Sequence, residues 1–180
     1  MKRKSLVGLI GVVAISLIVI LSGCVEEETP VKVPDTSSSI TTTTATTALI
    51  TKAPSDIALT IDDMPDEWMR CDKESIDEKY WVTFSREIFG TDYLTCEVDK
   101  YHNISDAKKA FENQKKYEAE KVKITSVELG DESYGWKYGH QSCVHFRKLN
   151  IIVDILFESQ YGKPDIEHAK KFGEIVEKKQ

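Results

Sequence analysis

Residues 150–158 restrict the choice of fold more than any other stretch. Ile151, Val153, Ile155 and Phe157 recur there at every second position without a break. That is the period of a strand with one face in a core, not of a helix. A second strand is expected just ahead of it, at 141–147, with only Lys148 and Leu149 between. Strands joined this closely pair antiparallel, and this hairpin is expected at the centre of a sheet.

The rest of the folded part must complete that sheet. Residues 80–88 and 93–101 read as two further strands joined through Phe89, Gly90, Thr91 and Asp92. In the second, Leu94, Cys96 and Val98 share one face while Thr95, Glu97 and Asp99 share the other; Trp81, Val82, Thr83 and Phe84 in the first suit a pleated surface. Residues 57–61 are expected to be an entry strand or an extended opening arm. Pro65 turns Met64 away from helix, and Trp68 or Met69 is the first buried anchor. A weaker strand at 122–129 is followed by the turn Gly130, Asp131, Glu132, Ser133 and an aromatic loop at 134–139. One helix starts at Ser105 and Asp106, with Ser105 as its cap, and carries the stripe Ala107, Ala110, Phe111, Gln114 and Tyr117. Lys108, Lys109, Glu112, Lys115 and Lys116 face away from that stripe. A last helix begins at Pro164 and Asp165, with Ile166, Ala169, Phe172 or Gly173, and Val176 turned inward. The expected class is α+β: an antiparallel sheet of about five to six strands in the order β-β-β-α-β-β-β-α, with two helices packed on one face.

The amino-terminal third belongs to none of this. Lys2, Arg3 and Lys4 precede an apolar run at 6–21 that ends in Leu21, Ser22, Gly23 and Cys24, the order of an export signal. Its last four residues resemble the lipobox of secreted lipoproteins, which implies cleavage before Cys24 and a diacylglycerol on that sulfur. Two acyl chains suffice for stable anchoring. The alternative is an uncleaved transmembrane helix in the same orientation, since the three cations hold its amino-terminal end in the cytoplasm. Residues 24–56 then form a lipidated, disordered Thr/Ser-rich stalk with too little apolar surface to order itself. The stalk is either O-glycosylated or a bare flexible linker. The division expected is a signal peptide at 1–23, the stalk at 24–56 and one globular domain at 57–180.

Charge excludes one class of partner. Loss of Lys2, Arg3 and Lys4 with the signal takes the formal charge from −6 to −9, which argues against nucleic acid. Cys71, Cys96 and Cys143 fall in the domain, and a disulfide is permitted outside the cytoplasm. Cys96 and Cys143 are expected to face opposite sides of the sheet, which makes Cys71 the better partner for either.

The run Gly130, Asp131, Glu132, Ser133, followed by Val144, His145, Phe146, Arg147 and Asn150, Ile151, Ile152, Val153, is similar to the core of uncharacterised archaeal and bacterial surface lipoproteins. Those pair a G-D-E-S turn with an F-R-x-x-N-x-x-V hairpin, and some are compared with the PsbP and Mog1-like α/β fold. They commonly place Gly before the Asn, where this chain has Leu149. The resemblance implies fold and location and carries no activity or functional residues.

Several clusters bear on chemistry. His140, Cys143 and His145 form a candidate copper or zinc set, the last two on one strand face and His102 or Cys71 a conceivable fourth ligand. Tyr134, Trp136 and Tyr138 form a candidate ligand platform. Asn103, Ile104 and Ser105 make an N-glycosylation sequon. Asp62, Asp63, Asp66 and Glu67 lack the spacing and glycine of a calcium loop and read as a solvated turn. Asp131, Glu132 and Ser133 read as turn chemistry and not as a hydrolytic trio; nucleophile elbow, P-loop, zincin and dinucleotide motifs are all missing from the sequence. The reading is a non-catalytic, lipid-anchored extracytoplasmic module without a cofactor, held to the cell membrane through Cys24, binding an unidentified ligand or envelope protein. The alternative is an extracytoplasmic copper- or zinc-binding protein using the His140, Cys143, His145 cluster.

Overall fold

The computed structural model describes residues 48–87 and 91–180, so the signal segment, Cys24 and most of the Thr/Ser stretch lie outside the described residues. Ala45–Gln180 is one compact unit. Its elements are α1 (Pro54–Ile57), a 3-10 turn (Ile61–Asp63), β1 (Met69–Ile76), β2 (Lys79–Glu87), β3 (Thr91–Lys100), α2 (Ile104–Ala119), β4 (Ile124–Ser126), β5 (Glu132–Tyr138), β6 (Gln141–Lys148), β7 (Ile151–Ser159) and α3 (Ile166–Lys179). The strands form a single antiparallel sheet in the order β1-β2-β3-β7-β6-β5-β4. The β6–β7 hairpin, with β3 beside it, is central as expected. No helix among the described residues is long and apolar enough to cross a membrane.

The alternation in β7 has its expected effect. Val82, Phe84, Leu94, Cys96, Val98, Val144, Phe146, Ile151, Val153, Ile155 and Phe157 are buried on one face, under Ala169 and Val176 of α3 and Ile57, Ala58, Leu59 and Trp68 of the amino-terminal arm. Gly173 lets α3 approach: a Cβ there would sit 2.8 Å from Leu129 Cδ1.

The two long helices do not share a face. Phe111 of α2 clusters with Tyr134 and Ile152, and these alternate along β5 and β7 with the residues that α3 covers. The stripe on each helix was legible, but not the side it would take, because β7 is apolar on both faces at Ile151, Ile152 and Val153. Five other expectations are corrected. The arm forms no strand at 57–61: it is a short link, extended at Thr60, between α1, which ends at Ile57, and the 3-10 turn, which starts at Ile61. The aromatic loop at 134–139 is mostly strand, β5. An extra strand, β1, carries no alternation because all eight residues are exposed on the sheet's edge. Asn103, not Ser105, caps α2, its side-chain oxygen accepting from Asp106 N at 2.8 Å; Tyr117 points outward at 59 % exposure.

The stretch from Gly130 to Asn150 is tied together by a local set of close contacts and hydrogen bonds. Gly130 takes φ +56°, and a Cβ on it would lie 2.5 Å from Arg147 O. Asp131 accepts from Leu149 N at 2.7 Å and pairs with Arg147 at 3.1 Å, while Arg147 also donates to Leu149 O. Leu149 stands at φ +53°, the conformation glycine would adopt freely. Asn150, 1 % exposed, accepts from Ile50 N and donates to Ile50 O and Tyr101 O. The packed body thus reaches back past residue 57 to Ile50.

Candidate functional site

Strand register sets five residues in one row, its inner part beneath α2 and its Trp81 end beyond the helix. Trp81, Glu97, Asp154, His145 and Tyr134 are successive cross-strand partners on β2, β3, β7, β6 and β5. α2 adds Gln114 and Glu118, one turn apart on its inner side.

His145, 3 % exposed, is the hub. Its Nδ1 lies 2.5 Å from Asp154 Oδ1, and Gln114 Nε2 is 3.0 Å from Asp154 Oδ2. On the other side of the ring, Trp136 Nε1 and Glu118 Oε2 each stand 3.1 Å from Nε2. Tyr134 stacks on the imidazole at 4.8 Å and 18°. Nδ1 faces a carboxylate and therefore carries a hydrogen, leaving Nε2 two exclusive roles. Neutral, it accepts from Trp136; protonated, it donates to Glu118. Burial alone would push the His145 pKa down, but the Asp154 carboxylate outweighs it and raises it well above 6.5. Burial pushes Asp154 up, but the His145 charge lowers it below 3.8. The pair is therefore charged near neutrality. Tyr134 OH, buried, has no hydrogen-bond partner among the described residues.

Beyond the reach of α2 the same face lies open. Met69 is 60 % exposed, Ile76 49 %, Tyr93 43 % and Tyr138 69 %; register puts all four on this face with half-buried Trp81. Carboxylates lie among them. Burial raises the pKa of Glu97, with neighbouring Asp99 adding to it, and burial likewise raises Asp99, whose buried Oδ1 has no hydrogen-bond partner among the described residues. Lys79 bonds to Asp99 and lies 3.5 Å from Glu97.

The residues singled out in the sequence fare unequally. Cys143 and His145 do share a face, as register requires, but His140 sits exposed in the β5–β6 turn. Among the described residues no three His, Cys, Asp or Glu side chains converge to hold a metal ion. Both ring nitrogens of His145 are already engaged. Cys71, Cys96 and Cys143 are all free. Cys96 and Cys143 point to opposite faces as expected, but Cys71 joins neither: it sits exposed at a bulge in β1 with Sγ 3.4 Å from Thr83 O. Burial pushes the Cys143 thiol up, the reverse of what a nucleophile needs. Tyr134 is closed into the core, Trp136 is half-buried and only Tyr138 stands free, so the three do not form a platform. Asn103 is exposed, with its side chain occupied in capping α2.

Asp154, Gln114 and Glu118 were missed as site residues. The signal was present in Asp154, an acid flanked at i±2 by Ile152 and Leu156; a charge on an apolar strand face calls for a buried partner. No protein-family model, curated protein or solved structure matches this chain.

Proposed function

We propose that the protein is a lipid-anchored module held outside the cytoplasm, which binds a ligand or envelope partner and carries out no chemistry of its own. Anchoring rests on the Lys2-to-Cys24 pattern. Binding rests on one observation: the half of the sheet that α2 leaves bare keeps Met69, Ile76, Trp81 and Tyr93 facing solvent, although the core on the other face is complete. Contiguous exposed apolar surface on a soluble domain marks an interaction site. The carboxylates Asp72, Glu74, Glu97 and Asp99 lie on the same face, so the partner that suits it offers cations and apolar groups together.

The anchor is tested by mass spectrometry of protein isolated from membranes. An amino-terminal peptide beginning at diacylated Cys24 is expected, and an unmodified Cys24 behind an intact Met1 overturns it. The surface is tested by a photo-crosslinking residue placed in turn at Trp81, Tyr93 and Tyr161 in intact cells. Tyr161 is 74 % exposed and lies outside the sheet. Adducts to one defined envelope component from Trp81 and Tyr93 but not Tyr161 are expected; no adducts, or the same adducts from all three, defeat the proposal.

A further inference from the structure

On the opposite face of the sheet, α3 meets the segment between the 3-10 turn and β1 and encloses a cleft of about 310 Å³. α3 builds it with a second stripe beside its core-facing one. Ala169, Gly173 and Val176 bury against the sheet, while His168, Phe172 and Ile175 line the cleft with Lys171 at its rim.

The inner wall is aromatic. Trp68 lies 6.4 Å from Phe157 and 6.3 Å from Phe172, ring to ring, at tilts of 58° and 71°. Such splayed rings leave space that a further flat or short aliphatic group can fill. The charged groups are arranged for an anion. Arg86 places its guanidinium 4.9 Å from the Trp68 ring centre and uses Nε on Asp92 and Nη1 on Glu67, which leaves Nη2 of its five-donor fork free of described contacts. Lys171 is exposed and makes no ion pair among the described residues. Asp63, the acid in the lining, is bound to Lys179. Glu67 and Asp92 already pair with Arg86, so Lys171 is the one lining cation without an ionic partner among the described residues, and Arg86 contributes its free Nη2 donor and not net charge.

We propose that this cleft binds a small organic carboxylate, its aromatic or short aliphatic body against Trp68, Phe157 and Phe172 and its anionic end between Arg86 and Lys171. The volume is at the low end for ligand sites, roughly 300–1,000 Å³, and suits one ring with a short side chain. This site is independent of the open sheet face, on the other side of the same sheet.

The test titrates the Ala45–Gln180 unit, which contains the whole described core, with phenylacetate, phenethyl alcohol and phenethylamine, followed by two-dimensional amide NMR. Phenylacetate is expected to saturate, shifting amides of α3 and the Trp68 segment. The alcohol and the amine should bind at least about tenfold more weakly, a difference of about 1.4 kcal/mol. Lys171→Glu, at an exposed position, should weaken phenylacetate by a similar factor without moving the unfolding midpoint, and Trp81→Ala should leave it unchanged. Absence of saturation, equal binding of all three probes, an unaffected Lys171→Glu protein, or loss on Trp81→Ala would each overturn the assignment.

Discussion

His145 and Asp154 are direct register partners on the central strands β6 and β7, joined Nδ1 to Oδ1 at 2.5 Å beneath α2. The charged groups around them are Glu118 on α2, Glu97 across the strand from Asp154 with Lys79 beside it, and, past the ring, Lys115 over Tyr134, with the Cys143 thiol alongside. His145 has its folded pKa raised, so its stabilisation is full below 6.5 and is lost as pH rises through the folded value. Asp154 has its pKa lowered, so its share is present above 3.8 and is lost as pH falls through its folded value. Urea midpoints should therefore be highest in the mildly acidic range between those two values and decline on the alkaline side. His145→Gln should flatten that decline and lower stability by about 3 kcal/mol, because Asp154 and Glu118 lose their partner. Wild-type and variant curves that run parallel across the alkaline range would sink this.

Leu149 holds φ +53° in the β6–β7 turn, where an L side chain costs about 1–2 kcal/mol. Leu149→Gly removes that strain but makes the unfolded chain more flexible. A net gain of about 0.5–1 kcal/mol is expected in denaturant titration. A loss of that size would mean that the leucine side chain earns its place by packing.

Two glycines share a conformation and differ in surroundings. Gly130 and Gly139 have φ +56° and +57°, but a Cβ on Gly130 meets Arg147 O at 2.5 Å and one on Gly139 meets nothing within 4 Å. Gly139→Ala should cost about 1–2 kcal/mol from backbone strain alone. Gly130→Ala should cost clearly more, since backbone must also move. Equal effects on the unfolding midpoint would contradict the close approach.

Thiol reactivity should divide the cysteines by burial. In native Ala45–Gln180, an exposed-thiol reagent should label Cys71 at once. Cys143, raised by burial, and Cys96, pushed up to about 12, should react only on unfolding. Rapid labelling of two sites in the native state, read by mass, would show that α2 or α3 opens.

What could be read in advance follows from what alternation reports. It marked β3 and most of β7, where buried residues alternate with less buried ones, whereas β6 is buried on both faces and was placed by its nearness to β7. It did not mark β1, where neither face is buried, and it could not assign α2 and α3 to opposite sides of a sheet whose central strand is apolar on both. Cys143 and His145 were found by residue type. Asp154, Gln114 and Glu118 escaped because their role depends on which strands become neighbours, and cross-strand register is set only when the fold closes. The residues from Gly130 to Ser133 and from Phe146 to Asn150 were legible as a turn and a hairpin, but not the hydrogen bonds that Asp131 accepts from Arg147 and Leu149 and that join the two.

The clasp between Asn150 and Ile50 decides how the domain would respond to mechanical load. Tension applied to the chain ahead of Ile50 is transmitted through the Asn150 amide to the turn of the central hairpin before it can reach α1. With Asn150 in place, a pull on the preceding residues is borne at the turn of the central hairpin; with alanine there, the same force would load α1 first.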